Sequence, residues 1–268
     1  MGAFFMMQTQ GGYRLNGTTS KRNADLPVVS VLTVVYNSEE FIERTIQSVL
    51  AQSYPNIEHI ILDGASNDNT LVIVNKYNNQ IAYWKSEKDA GIYDAMNKVQ
   101  ELAKGDYVMF LNSGDEFNDD QVLSSAFQLE RNADVYYGDT LVTDMQGNAL
   151  RHRRLRPPQQ LTWTDFRYGM LVCHQSIIIK KELSSSYNTQ YKIAADIDWA
   201  IRSVKKAKSV VNTKTTISKF MEGGMSTVHH RKGLEERFKI MTKHFGLLST
   251  VLVHIYMVFR LIVGKIRQ

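Results

Sequence analysis

The chain has 268 residues, enough for one large α/β domain with a short appendage, and its 43% apolar and 22% charged residues are those of a folded globular protein rather than a disordered or fibrous one. One cysteine, Cys173, excludes an internal disulfide and points to a reducing compartment. A net charge of +5 favours anionic partners without choosing among nucleotides, phospholipids and phosphorylated lipids.

Residues 1–26 mix Gly, Asn, Thr and Ser without periodicity and lack the apolar core of a secretory signal, so they read as a flexible extension. Val28–Tyr36 is a β-branched run too continuous for a half-exposed strand and predicts a central one. The stretch from Ser38 to Leu50 gathers Phe41, Ile42, Thr45, Ile46, Val49 and Leu50 on one helical stripe, with Asn37 or Ser38 as N-cap. The alternation continues with strands at Ile57–Leu62, Ile81–Ser86, Tyr107–Leu111 and Val135–Gly138. Helices fall between them at Asn69–Tyr77, Tyr93–Ala103 and Gln121–Glu130. Strands alternating with helices of this length imply crossover units and a mostly parallel sheet. Beyond residue 139 the rhythm becomes mixed: a hairpin over Thr140–Arg154, strands at His174–Lys180 and Val210–Ser218, and a helix at Ile193–Lys206. Gly246–Gly264 is apolar apart from His254, Arg260 and a few hydroxyls. An interfacial helix on a membrane is the preferred reading, and a helix packed on its own domain or on a second subunit is the alternative.

In open parallel sheets the ligand crevice lies beyond the carboxyl ends of the strands. The first four strands lead into Thr33-Val-Val-Tyr36-Asn37, Asp63-Gly-Ala-Ser-Asn-Asp68, Asp89-Ala-Gly-Ile-Tyr93-Asp94-Ala-Met-Asn97-Lys98 and Asn112-Ser113-Gly114-Asp115. Each alone reads as a turn or a cap. As an ordered set at consecutive strand ends they resemble glycosyltransferase family 2, with its nucleotide-diphosphosugar-binding GT-A fold. Lys88–Phe117 resembles a subgroup associated with bacterial capsule, exopolysaccharide and lipopolysaccharide assembly.

The resemblance implies an inverting, metal-dependent transferase of a sugar from a nucleotide diphosphate. Its nucleotide-binding half would span 27–138 and its acceptor half 139–228, with 229–268 a helical, membrane-associating tail. Thr33, Tyr36 and Asn37 would line the nucleotide pocket and Asp63 would accept from the base N–H. Asp89 would lie near ribose or sugar, and Tyr93, Asn97, Lys98, Asn112 and Ser113 would belong to the donor side. Asp115 matches the last acid of the metal motif, where Mg²⁺ or Mn²⁺ would neutralise the departing diphosphate. Asn112 and Gly114 depart from the family there, since Asp is frequent at both places. Asp196 aligns with the general base, with Ala195 where the family carries Glu. On a helix Asp196 and Asp198 point about 200° apart, so only one can face the crevice, and Asp198 can pair with Arg202. His174, Asp198, Gly223 and Gly224 are acceptor-side candidates. The basic run Arg151-His-Arg-Arg154 with Arg156 fits an anionic lipid surface or a polyprenyl-linked or glycan acceptor better than nucleic acid, for which no motif is present. A cytoplasmic protein at the inner membrane face follows as the expectation, with oligomerisation through the C-terminal helix possible. The alternative is a scaffold that binds sugar nucleotides without turnover.

Overall fold

The computed structural model describes residues 8–17, 22–223 and 230–266. In chain order the strands are β1 (Gln10–Gly11), β2 (Val29–Val35), β3 (Ile57–Asp63), β4 (Tyr83–Ser86), β5 (Tyr107–Phe110), β6 (Glu116–Phe117), β7 (Val135–Thr143), β8 (Ala149–His152), β9 (Ile177–Lys180) and β10 (Val210–Met221). The helices are α1 (Ile42–Leu50), α2 (Thr70–Lys76), α3 (Ile92–Leu102), α4 (Val122–Leu129), α5 (Ala195–Val204), α6 (His230–Phe245) and α7 (Leu247–Ile266).

They build one ten-stranded sheet in the order β1-β4-β3-β2-β5-β9-β7-β10-β6, with β8 paired to β7. β2 pairs in parallel with β3 and β5, β3 with β4, and β7 with β10. β9 runs antiparallel between β5 and β7. The carboxyl ends of β2, β3, β4, β5, β7 and β10 therefore open on one edge, where a crevice belongs. β2 is buried at every position, as its unbroken β-branched run requires. The largest apolar cluster packs α3 and α5 on the sheet around Phe110, Tyr187 and Trp199; Tyr187 stacks on Trp199 with centroids 5.4 Å apart, and Phe110 meets Trp199 edge-on at 5.7 Å.

Several expectations need correction. The N-terminal extension is not wholly loose: β1 pairs antiparallel with β4, and Arg14 reaches the buried Glu58. Glu58 also accepts from Ser30 Oγ at 2.5 Å and from the Lys104 and Gly105 amides at 2.6 and 2.9 Å. With every lone pair engaged, a fully buried carboxylate holds the segment down. Neither Asn37 nor Ser38 caps α1, which begins at Ile42, because both side chains are used across neighbouring loops. The two short strands expected at 135–138 and 140–143 are one, β7, running through Gly138, where a side chain would meet the Thr215 carbonyl at 2.5 Å. His174–Ser176 is a turn of 3₁₀ helix before β9 rather than part of a strand. Finally, α6 packs on the sheet domain rather than starting a separate tail: its Ile240 and Met241 are buried in the main cluster.

Candidate active site

The nucleotide side starts with two left-handed turns. Asn37 ends β2 with φ 44°, and Ala65 follows β3 with φ 63°. Asn tolerates this backbone because its short amide finds a local partner: Asn37 Oδ1 accepts from the Asn67 amide at 2.8 Å, while the Asn37 amide donates to Ser66 Oγ at 2.8 Å. Asp63 is 1% exposed and accepts from the Ser66 amide at 3.0 Å, from Ser66 Oγ and from Ser86 Oγ at 2.6 Å. Beside it, a Cβ on Gly64 would lie 2.6 Å from Asp89 Oδ2 and 3.3 Å from Tyr36 Cδ2. Glycine is needed for that approach. Tyr36, Asp63 and Asp89 are thus brought together at the ends of β2, β3 and β4, with the Tyr36 ring 60% exposed above them.

Three donor-side expectations change. Thr33 is fully buried: its hydroxyl donates to the Leu111 carbonyl at 2.8 Å and accepts from His59 Nε2 at 2.9 Å, so it offers a ligand no surface. His59, which the sequence did not single out, is held neutral by burial, its pKa pushed down to about 3. Asn97 exchanges two hydrogen bonds with the Tyr187 backbone, at 2.9 and 2.6 Å, and Tyr93 donates to the Ile193 carbonyl at 2.8 Å. Both pin the second half of the domain instead of lining a donor cleft. Lys98 pairs with Asp94 at 3.0 Å and donates to the Lys88 carbonyl at 3.1 Å.

At the end of β5 the Asn-Ser-Gly-Asp turn explains its own departures. Gly114 has φ 94°, a backbone that strains any L side chain, so the conformation of the turn disfavours an Asp there; the Met221 Cε that a Cβ would meet at 2.6 Å is the end of a flexible side chain. Ser113 Oγ joins Ser38 Oγ at 2.7 Å, linking this turn to the β2 loop. Asp115 is buried; its Oδ2 accepts from Gln175 Nε2 at 2.9 Å and its Oδ1 from the Met221 amide at 3.2 Å. Burial drives its pKa up to about 6, against the pull of Gln175, Met221, His174 and Arg44. Asn112 Oδ1 is buried without a partner. Each Asp115 oxygen keeps a lone pair, so this carboxylate fits a hard cation that retains water and substrate phosphate. Among the described residues no group of three His, Cys, Asp or Glu could enclose a metal alone.

The base candidate sits in the first turn of α5. Asp196 is 23% exposed and its Oδ2 lies 3.9 Å from His174 Nδ1, an ion-pair contact longer than a hydrogen bond. Burial would raise its pKa, but His174 and Arg237 outweigh that and hold it below the usual carboxylate range. Asp198, two residues on, has no exposed side-chain surface: it binds Arg202 at 2.7 Å and His244 at 2.8 Å. The Arg202 pairing is as expected, and the acceptor-side role is not, since Asp198 fastens α5 to α6. Ala195 is buried in the main cluster, where a glutamate would be desolvated.

His174 meets Phe110 and Tyr187 edge-on, and among the described residues neither ring nitrogen has a hydrogen-bond partner. The next residue, Gln175, holds Asp115 while its Oε1 receives the Cys173 thiol at 2.6 Å. One 3₁₀ turn therefore touches both acids. Gly223 is exposed at φ 109° with nothing within 4 Å of its would-be Cβ, open to an approaching ligand; Gly224 lies outside the described residues. Gln175 and Glu236 escaped the sequence reading. Glu236 on α6 accepts from the Lys192, Ile193 and Ala194 amides at 2.9, 2.8 and 3.0 Å, capping the approach to α5. Neither belongs to a local pattern. A cavity of about 720 Å³ between Leu26, Tyr107 and Lys181 lies at the amino ends of β2 and β5, away from all these groups. Two of its polar groups are engaged elsewhere, Asp106 accepting from the Val28 amide at 2.7 Å and Lys180 binding Asp134 at 2.8 Å, and none of the strand-end acids reaches it, so the crevice edge is the better candidate.

A mostly parallel sheet flanked by helices, with acids gathered at its strand ends, defines the GT-A class of nucleotide-sugar transferases. The fold agrees with that of S. aureus TarS 1-349 in complex with UDP-GlcNAc (TM-score 0.66, 19% identity, covering 84% of this chain and 70% of that one). It also agrees with the mannosyltransferase PcManGT from Pyrobaculum calidifontis in complex with GDP-Man and Mn²⁺ (TM-score 0.57, 15% identity, covering 90% and 79%). Glycosyl transferase family 2 matches residues 30–187, and the chain belongs to that family. An uncharacterized glycosyltransferase of Mycobacterium tuberculosis is 33% identical over 185 residues, 66% of this chain and 68% of the relative. The putative teichuronic acid biosynthesis glycosyltransferase TuaG of Bacillus subtilis is 32% identical over 160 residues, 58% and 63% of the two chains.

Proposed function

We propose that the protein transfers a sugar from a nucleotide diphosphate to a hydroxyl of a polyprenyl-linked or glycan acceptor in cell-surface polysaccharide assembly, with inversion at the anomeric carbon. The observation that carries this reading is the Cys173–Ser176 turn: His174 sits 3.9 Å from Asp196, and Gln175 holds Asp115 at 2.9 Å. A carboxylate suited to a metal diphosphate and a carboxylate suited to proton abstraction are thereby placed on either side of one turn. Tyr36, Asp63 and Asp89 would receive the base and ribose. Asp115 would hold Mg²⁺ or Mn²⁺, which would supply charge neutralisation to the leaving diphosphate. Asp196, kept ionised, would take the acceptor proton as the new C–O bond forms and the nucleoside diphosphate departs with the electrons of the old one.

The same reading places the protein at an anionic membrane face. No helix among the described residues is long and apolar enough to cross a membrane. However, Leu248, Leu252, Ile255, Tyr256 and Phe259 of α7 are exposed at helical spacing, which suits burial in a headgroup layer. The side chain of Arg260, near enough to the helix end to meet a headgroup, lies outside the described ones.

The test is transfer from UDP-, GDP- and TDP-sugars to a polyprenyl-diphosphate glycan with Mn²⁺ present. Product of inverted configuration, lost in Asp196→Asn, is expected; a retained configuration or a covalent sugar–enzyme adduct rules the mechanism out. Donor binding without turnover in any combination selects the scaffold reading.

A further inference from the structure

The basic run at 151–156 is not a uniform patch. Arg151 pairs with Glu222, and His152 Nδ1 and Arg156 Nη2 lie 2.9 and 2.5 Å from the buried Asp139. Arg153 and Arg154 have no carboxylate within ion-pair distance among the described residues, although Arg153 is half-buried. Both line a groove of about 270 Å³ with Val142, Leu155 and Phe220, closed by the Arg151–Glu222 pair. A partly desolvated guanidinium without a counter-charge is costly, and a bound anion removes that cost.

The position of the groove says which anion. Val142 and Phe220 stand near the carboxyl ends of β7 and β10, on the crevice edge of the sheet. Phe220 and Glu222 flank Met221, whose amide holds Asp115. Arg153 is also near enough to the buried Cys173 for its charge to act on the thiol, and Cys173 contacts Gln175, the partner of Asp115. The groove thus adjoins the reacting centre, but across β5 and β9 from the nucleotide side at β2, β3 and β4. It is therefore on the side the acceptor must occupy. Guanidinium forks match phosphate oxygens bidentately, and the apolar wall of Val142, Leu155 and Phe220 accommodates carbon next to the phosphate.

We infer that Arg153 and Arg154 bind a phosphate group of the acceptor, so that the acceptor is a phosphate-bearing molecule with an apolar portion next to that phosphate. Naming the anion as the acceptor's rests on the function proposed above; the anion site itself does not.

The test titrates the full chain by calorimetry with farnesyl diphosphate and separately with inorganic pyrophosphate, in the presence of Mn²⁺ and a saturating nucleotide diphosphate. Wild-type protein should bind farnesyl diphosphate more tightly than pyrophosphate. Arg153→Gln/Arg154→Gln should weaken that binding tenfold or more, with nucleotide affinity unchanged. Arg131→Gln, remote from the groove, should bind as wild type. Pyrophosphate binding as tightly as farnesyl diphosphate removes the apolar part of the inference. Absence of binding to either probe, or binding indifferent to the double substitution, overturns it. If the double variant does not fold, Arg153→Lys keeps the charge but not the fork, and a loss of severalfold is expected; unchanged binding counts against the site. If no nucleotide binds, the donor reading fails on its own, and the same titrations of nucleotide-free protein still decide the anion site.

Discussion

Asp115 is the residue whose environment makes the sharpest demand. Burial raises its pKa to about 6, so the folded protein takes up a proton there that the unfolded chain, near 4, does not. The stability this gives is complete below pH 4 and is lost as pH rises through 6, where a buried charge appears. A cation pays that charge back, so manganese affinity should fall about tenfold per pH unit below 6, as expected for one proton competing with the metal. Calorimetric Mn²⁺ titrations in the presence of nucleotide at pH 5, 6 and 7 measure it, and Asp115→Asn should remove the dependence together with the binding. Asp196 is shifted the other way, since His174 and Arg237 outweigh its burial, and stays ionised throughout this window. Asp196→Asn should reduce kcat by about 10²–10⁴ while leaving nucleotide affinity in place. The positions of Asp63, Asp89 and Asp115 at strand ends were legible because the strands could be located by periodicity, whereas the roles proposed for them and for Asp196 on its helix came from the family resemblance. Thr33 and Asn97 were misjudged because a polar side chain at a strand end or on a helix reads the same whether it meets a ligand or a backbone carbonyl, and only the distant Leu111 and Tyr187 decide it.

At the scale of elements, the helix that presents Asp196 is fixed from outside itself. Three consecutive amides before α5 end on Glu236, and Asp198 within α5 ends on His244; both partners belong to α6. Glu236→Ala would leave buried amides without acceptors, at about 1–3 kcal/mol for each that water cannot reach. A melting temperature several degrees lower is expected, with a loss in kcat larger than any change in nucleotide Kd, because the nucleotide side does not touch α6. Thermal unfolding and steady-state kinetics of the variant test both halves. Reading α6 as the beginning of a tail missed this. Its sequence is rich in charge, and it takes the burial of Gly233, Glu236, Ile240 and Met241 to show that one face enters the core. The alternation of strands and helices up to residue 138 was readable from local pattern; the register shifts between β7 and β10 were not, since they depend on the close packing of Gly138 against Thr215.

Across the whole molecule, the domain runs from β1, latched by Arg14 on Glu58, to α6, and α7 extends from it with one apolar face uncovered. Trp163 stacks on Phe245 at 5.6 Å, just before α7 begins, so the root of that helix is anchored while its exposed face is free to meet a bilayer. Removal of residues 247–268 should leave folding and nucleotide binding intact and abolish sedimentation with phosphatidylglycerol vesicles; unchanged sedimentation would assign the apolar face to something other than lipid. The claim on which the rest depends is that Asp115 serves the donor diphosphate and Asp196 only the transfer. Thermal shift with UDP-, GDP- and TDP-sugars, with and without Mn²⁺, tests it most directly. Metal-dependent stabilisation by at least one sugar nucleotide, lost in Asp115→Asn and preserved in Asp196→Asn, is the result the account predicts; no stabilisation by any of them, or stabilisation indifferent to Asp115→Asn, would contradict it.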